Sequence, residues 1–263
     1  MAHQLDRTAR DFSKIFPVMT DDLRRQHKGL KVASILQEAL AGKALNTVLD
    51  VGCSNAILLD VVLEQIQSNL AIGVDLDSAS LPKASPSRFC VVGNALALPL
   101  ADETVDLVLC NHTYEHVPDP KKLFAEITRV LKSDGLVYFG AMNFRWPIEP
   151  HYKIPFLHWL PKFLSSWILK RLGHEIGYLE QPLGLTQLRK LVRDFEINDY
   201  TLKVIAEPQR YKAEDVINPR LACMVNPISK LFYSWLPGYL WVLTKRAAKN
   251  TSEKPYEHHP FDD

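Results

Sequence analysis

The sequence predicts an α/β fold: a seven-stranded, mostly parallel sheet with helices on both faces. Three observations carry this. Between residues 47 and 140, apolar runs of strand length alternate with segments of helical period. The runs are apolar at consecutive positions, as strands buried on both faces require. Polar and acidic residues gather where the runs end, the edge at which parallel sheets bind ligands.

The elements follow in order. Thr20, Asp21 and Asp22 predict a helix start, since a hydroxyl caps free amides and carboxylates suit the positive end of the helix dipole. Leu23, Leu30, Ala33, Leu36 and Leu40 keep an approximate helical period, and Gly42 suits a stop. Strands are predicted over 47–51, 71–74, 89–92, 105–110 and 136–140, and helices over 56–66 and 120–131. The second of these helices places Leu123, Phe124, Ile127, Val130 and Leu131 on one side.

Beyond residue 140 the texture changes, and all five tryptophans (Trp146, Trp159, Trp167, Trp235, Trp241) lie there. Residues 145–180 are rich in aromatics, prolines and basic residues, which predicts an insertion of short helices forming an aromatic lid after the fifth strand. A helix is predicted over 185–192, and two late strands over 200–206 and 239–243 close the sheet. The organisation is a helical segment (1–46), a core (47–141), an insertion with closing elements (142–248) and a polar tail (249–263) expected to be mobile.

A chain of 263 residues with 47% apolar and 23% charged residues can bury its own core. A formal net charge of +1 argues against a broad basic surface for DNA. Cys53, Cys90, Cys110 and Cys223 lie far apart with no C-x-x-C pair, the pattern of free thiols in a reducing compartment rather than of a metal site. Residues 1–11 are polar and predict no secretory signal, and no apolar run approaches a membrane span of about 18 residues. A cytoplasmic protein is expected, at most touching a membrane.

Four segments carry the chemistry. In Asp50-Val51-Gly52-Cys53-Ser54-Asn55-Ala56 a buried strand runs into a tight turn of small residues, where a ligand can approach the backbone. Only Gly52 of a G-x-G-x-x-G is present, which disfavours a nicotinamide-dependent dehydrogenase. Asp75 ends the second strand and is suited to two ribose hydroxyls, with Leu76 beside it and Asp77 as an outer neighbour or cap. Asn94 and Ala95 follow the third strand, where the Asn94 carbonyl would accept from an adenine amino group. Asn111, His112, Glu115 and His116 emerge after the fourth strand.

Together these segments resemble the SAM-binding core of class I S-adenosylmethionine (SAM)-dependent methyltransferases, specifically the methyltransferase type 11-like group. The resemblance spans Val48 to Gly140 and includes Leu49-Asp50-Val51-Gly52-Cys53, Gly73-Val74-Asp75, Leu98-Pro99, Val105-Asp106-Leu107, Glu115-His116-Val117 and Arg129-Val130-Leu131-Lys132. It implies a Rossmann-like fold, SAM as cofactor, and a cofactor site of Asp50, Gly52, Cys53, Ser54, Asp75, Leu76, Asn94, Ala95 and Asn111. Two departures stand out. Ser54 and Ala56 occupy the second and third glycine positions of the family's first turn, and Asn94 replaces its acidic residue. Cofactor binding survives the first departure if neither position needs positive φ.

A hydroxyl or amine acceptor needs a base within reach, and the candidates are His112, His116 and His151, with Glu115 and His158 nearby. His112 and His116 stand four apart, but no third metal ligand is evident; His116 is expected to hydrogen-bond at a helix start. The expected activity is methyl transfer, chiefly O-methylation, to a small-molecule, glycan or lipid-linked acceptor. The alternatives are a protein or tRNA methyltransferase, or a non-catalytic SAM-binding scaffold. Residues 155–172 and 228–243 combine aromatic and basic side chains and are candidates for contact with a membrane surface.

Overall fold

The computed structural model describes residues 22–82, 88–174 and 177–246. The predicted cap residues Thr20 and Asp21 and the tail from residue 249 lie outside the described residues.

Helix α1 (Asp22–Leu40) leads in and buries Val32, Ala33, Ile35, Leu36 and Leu40; Gly42, at φ +85°, ends the segment. Leu23, although in register, stays exposed. Strand β1 (Leu45–Val51) and helix α2 (Ile57–Gln65) follow, then β2 (Ser68–Asp75) and β3 (Arg88–Val92). Strand β4 (Val105–Asn111), helix α3 (Pro120–Val130) and β5 (Leu131–Met142) complete the parallel part. The order across the sheet is β3-β2-β1-β4-β5, and β7 (Gly238–Lys245) adds antiparallel to β5, with β6 (Phe195–Asp199) at the far edge. The seven-stranded, mostly parallel arrangement agrees with the sequence.

Two details differ. Residues 200–206 are not a strand: Thr201–Ala206 form helix α6, once α4 (Lys162–Arg171) and α5 (Leu185–Leu191) are counted. Asp199 turns the chain there, its Oδ1 accepting from the Thr201 amide at 2.8 Å. The strand precedes it, and as an edge strand alternating Phe195, Glu196, Ile197, Asn198 and Asp199 it carries no apolar run to mark it. Strand β3 is likewise an edge strand, and Phe89, Val91 and Val92 are substantially exposed rather than covered on both faces.

Helices lie on both faces. One apolar core joins α1 and α2 to the sheet, the other joins α3 and α5 to it. Asp119 caps α3, accepting from the Lys121 and Lys122 amides at 3.0 Å, with Pro120 at the first helical position. Arg129 in its last turn donates to the Leu98 and Leu100 carbonyls and pairs with Asp102 and Glu126. The Leu98-Pro99 loop is thereby pinned to α3. Lys132 pairs with Asp106, whose other oxygen accepts from the Asn46 and Thr47 amides. The scattered motif residues are thus partners in two clamps.

Beyond β5 the chain forms a short turn of helix over Leu157–Trp159, then α4. Leu157, Leu169 and Tyr178 form a small core of their own. Tyr114, fully buried, ties this region to the sheet: its hydroxyl donates to the Met142 carbonyl at 2.6 Å and accepts from the Leu183 amide at 3.0 Å. Tyr114→Phe would orphan both backbone groups and is expected to cost about 1–3 kcal/mol in urea unfolding. A loss below a few tenths of a kcal/mol would show that the bridge contributes nothing.

Candidate active site

The turn after β1 is built from alternating left-handed residues. Gly52 has φ +78°, Ser54 +48° and Ala56 +56°. The condition set by the sequence is therefore not met: both non-glycine replacements occupy conformations that favour glycine, at about 1–2 kcal/mol each. Neighbours hold them there. The Ser54 amide donates to Asp75 Oδ2 at 2.8 Å, the Ser54 hydroxyl accepts from Arg25 at 3.2 Å, and the Ala56 amide donates to the Cys53 carbonyl at 2.8 Å. Gly52 itself admits no side chain, since a Cβ would stand 2.8 Å from the Thr113 side chain. Thr113 is fixed by donating to the Val51 carbonyl at 2.7 Å. Cys53 is buried against Gly73.

Asp75 stands at the end of β2, beside this turn. Its second oxygen accepts from the Asp77 amide at 2.9 Å, so each oxygen holds one backbone donor and keeps capacity for another. Asp77 caps the next turn through the Ala79 amide. Leu76 is exposed beside Asp75. Asn94 Oδ1 accepts from the Leu96 amide at 2.9 Å, so the carbonyl that the sequence reading offers to an adenine shapes its own turn. Ala95 is half-buried in that turn, and Asn111 ends β4 against Gly140. Asp50 is buried, and burial together with the neighbouring Asp75 pushes its carboxyl up to about 7, against the opposing pull of Arg25. Burial also raises Asp75.

The histidines gather on the same edge. His112 follows β4 at φ +56°, its amide donating to the Gly140 carbonyl. Its Nδ1 lies 3.2 Å from Glu115 Oε1, and Glu115 is fully buried. His151 Nδ1 lies 2.8 Å from Glu149 Oε1, another fully buried carboxylate, which also accepts from the Tyr152 amide. The His116 and His151 rings meet edge to face at 5.2 Å between centroids. His116 sits in a turn rather than at a helix start, since α3 begins only at Pro120. His158 is apart, its Nε2 engaged with the Phe144 carbonyl at 2.8 Å.

Burial lowers the pKa of His112 despite the opposing Glu115 contact, and pushes His116 down to about 4. For His151 burial acts downward too, but Glu149 and Glu180 outweigh it and raise the value. At neutral pH His112 is a neutral imidazole, whereas His151 holds its proton more tightly. Burial opposes the charge on Glu115, yet its contacts with His112 and His116 keep it below the usual carboxylate range. Among the described residues no group of three or more His, Cys, Asp or Glu is arranged to hold a metal.

A cavity of about 70 Å³ opens beside His112, lined by Lys28, Lys31, Val32, Asn111, Tyr138 and Leu240. Lys28 reaches solvent through a cleft while protein surrounds it, and burial, Arg25 and Lys31 lower its pKa. Sequence reading missed Arg25, Lys28 and Lys31. Their three-residue spacing places them on one helix face, a signal easily taken for a solvated surface. It also missed Glu149 and Glu180, for which nothing local in the sequence marks burial. A larger hollow of about 680 Å³ lies at the opposite edge, by the starts of β1 and β2, away from all these groups.

Comparison with known proteins decides the family. Residues 49–139 match the methyltransferase domain family. Over 172 residues the chain is 32% identical to the ubiquinone biosynthesis O-methyltransferase of Nitrosomonas europaea, covering 57% of this chain and 72% of the relative. The chain belongs to the class I SAM-dependent methyltransferases. A second ubiquinone biosynthesis O-methyltransferase, from Pasteurella multocida, is 27% identical over 187 residues, 64% of this chain and 68% of the relative. The structure of the Burkholderia thailandensis 1,6-didemethyltoxoflavin-N1-methyltransferase, solved with its substrate and S-adenosylhomocysteine, shares the fold. The TM-score is 0.53 at 15% identity over 93% of this chain and 90% of that one. As a member of the family, this methyltransferase uses SAM as its cofactor.

The strained turn yields a direct test. The double variant Ser54→Gly, Ala56→Gly relieves two left-handed side chains at the loss of a buried methyl worth about 0.8 kcal/mol and of the Arg25 contact. A net gain of roughly 1 kcal/mol in urea unfolding is expected. A loss of that size would mean the turn stores no strain.

Proposed function

We propose that this methyltransferase O-methylates a hydroxyl of a small acceptor, with His112 as the general base. The observation that carries this is the pairing of His112 Nδ1 with the fully buried Glu115, on a ring that still reaches the cleft. A carboxylate on Nδ1 fixes the tautomer and orientation, leaving Nε2 to accept the hydroxyl proton. The nearby cation of Lys28 would favour the developing oxyanion. His116 and His151 complete the wall as positioning residues, and Glu149 holds His151 in place. The similarity to ubiquinone biosynthesis O-methyltransferases supports oxygen as the methylated atom.

In this reading residues 47–141 form the cofactor core. Its turn Asp50, Gly52, Cys53 and Ser54 takes the methionine end, with Arg25 beside it; Asp75 takes the ribose; Leu76, Asn94 and Ala95 flank the adenine; and Asn111 faces the transfer point. The free lone pairs of Asp75 fit two hydroxyls, and the turn's lack of bulk fits close approach. SAM supplies a methyl group already activated on a sulfonium, so the residues here have only to align acceptor and donor and remove one proton. Residues 142–248 bring an aromatic lid, which supports an acceptor with an apolar or lipid-linked part; a glycan-bearing acceptor presents hydroxyls to the same base. The free cysteines among the described residues fit action in the cytoplasm.

His112→Gln is expected to lower kcat about 10²–10⁴-fold with radiolabelled SAM and a hydroxylated acceptor, while S-adenosylhomocysteine affinity stays within about threefold. Unchanged kcat would remove His112 from the chemistry. In wild type, activity falls with pH along a limb below the ordinary imidazole value of 6.5, because a lowered pKa keeps the base neutral further into acid. Glu115 raises that value, so Glu115→Gln moves the limb to lower pH; a limb that stays put would contradict the pairing. A separate consequence concerns Asp50. Its carboxyl titrates near 7 without ligand, so affinity for the cationic SAM rises as pH passes upward through about 7, and Asp50→Asn abolishes that slope.

A further inference from the structure

Helix α4 is apolar on the wrong side for a soluble protein. Its inner face buries Ser165 and Leu169, whereas Phe163 is 77% exposed and Trp167 55%. A second segment, α7 (Ala222–Leu231), repeats the pattern, with Ile228 and, at 79% exposure, Leu231 facing outward. The turns that flank them, Leu157–Trp159 before α4 and Tyr233–Trp235 after α7, meet where Trp159 packs against Trp235, with ring centroids 6.4 Å apart. Large apolar groups joined in this way on a water-facing surface mark a contact site.

Charge identifies the partner. Residues 153–173 contain Lys153, Lys162, Lys170 and Arg171 and no acidic residue. Residues 216–235 contain Arg220 and Lys230, again with no acidic residue. In a chain of net charge +1 this is a marked segregation. The Arg171 guanidinium lies over Trp167 at 5.4 Å, so cation and ring occupy one level. Aromatic side chains flanked by cations suit the headgroup boundary of an anionic bilayer. A second copy docking through the same face would bring like charges together, which opposes an isologous dimer. We infer that α4 and the Ala222–Trp235 segment form a peripheral docking surface for a bilayer rich in anionic lipid.

The surface borders the candidate active site. Trp159 Nε1 donates to the Phe144 carbonyl at 2.7 Å, immediately beyond β5, and the insertion that carries α4 also carries His151. Docking would therefore bring the acceptor cleft to the membrane boundary, where an amphiphilic acceptor is concentrated.

The test is co-sedimentation of the full chain with vesicles of phosphatidylcholine alone or mixed with phosphatidylglycerol, without SAM or acceptor. Its outcome is thus independent of the proposed methyl transfer. Binding at least about tenfold stronger to the anionic vesicles is expected, weakening as salt rises. Phe163→Ser with Trp167→Ser is expected to reduce it at least about tenfold, and Lys170→Glu with Arg171→Glu to remove the anionic preference. Both pairs lie on the surface and leave the thermal midpoint unchanged. Absence of anionic preference in wild type, or full binding by the serine pair, overturns the inference. So does a lipid-free dimer that the serine pair converts to monomer.

Discussion

A single carboxylate ties the two loops on which the site depends. Asp75 accepts from the Ser54 amide with one oxygen and the Asp77 amide with the other. The first bond reaches across from β2 to the turn after β1 and holds a serine at positive φ, where its side chain costs free energy. The second shapes the turn that follows β2. Arg25 closes the assembly from α1, donating to Ser54 and Asn55. A glycine-rich turn adopts such a path unaided. Here the path is imposed by neighbours, which explains how the family's first turn persists with Gly52 as its only glycine.

The acid–base side of the site depends on burial. Two carboxylates, Glu115 and Glu149, are fully enclosed, and each meets an imidazole. A carboxylate in that position keeps its charge only through such partners. The three histidines diverge because their surroundings differ. Burial dominates at His112 and His116 and lowers their pKa values, whereas His151 faces Glu149 and Glu180, which raise its value. Imidazoles shifted in opposite directions thus stand side by side, the His116 and His151 rings meeting edge to face.

Much of this was legible in the sequence, for physical reasons. Consecutive apolar residues in β1, β4 and β5 signal burial on both faces, and the one-sided set Leu123, Phe124, Ile127, Val130 and Leu131 signals the helix between β4 and β5. Residues 200–206 misled because Tyr200, Thr201, Ile205 and Val204 have strand-forming side chains, while the real strand, at the sheet edge, mixes Glu196 and Asn198 with Phe195 and Ile197. The positive φ of Ser54 and Ala56 could not be read from residues that usually avoid it. Glu149 and Glu180 were invisible as buried acids because their enclosure is made by the insertion's tertiary packing. Nothing local marks Lys28 and Lys31, because the opposite wall of their cavity is supplied by Asn111 of β4, Tyr138 of β5 and Leu240 of β7.

The central claim is that this neighbour-braced turn remains a SAM site organised on Asp75. Calorimetric titration with S-adenosylhomocysteine, on wild type and on Asp75→Ala, tests it most directly. Saturable one-to-one binding by wild type, weakened at least about thirtyfold by loss of two charge-assisted hydrogen bonds, is the predicted result. No binding by a folded wild type, or equal binding by the two proteins, would contradict it.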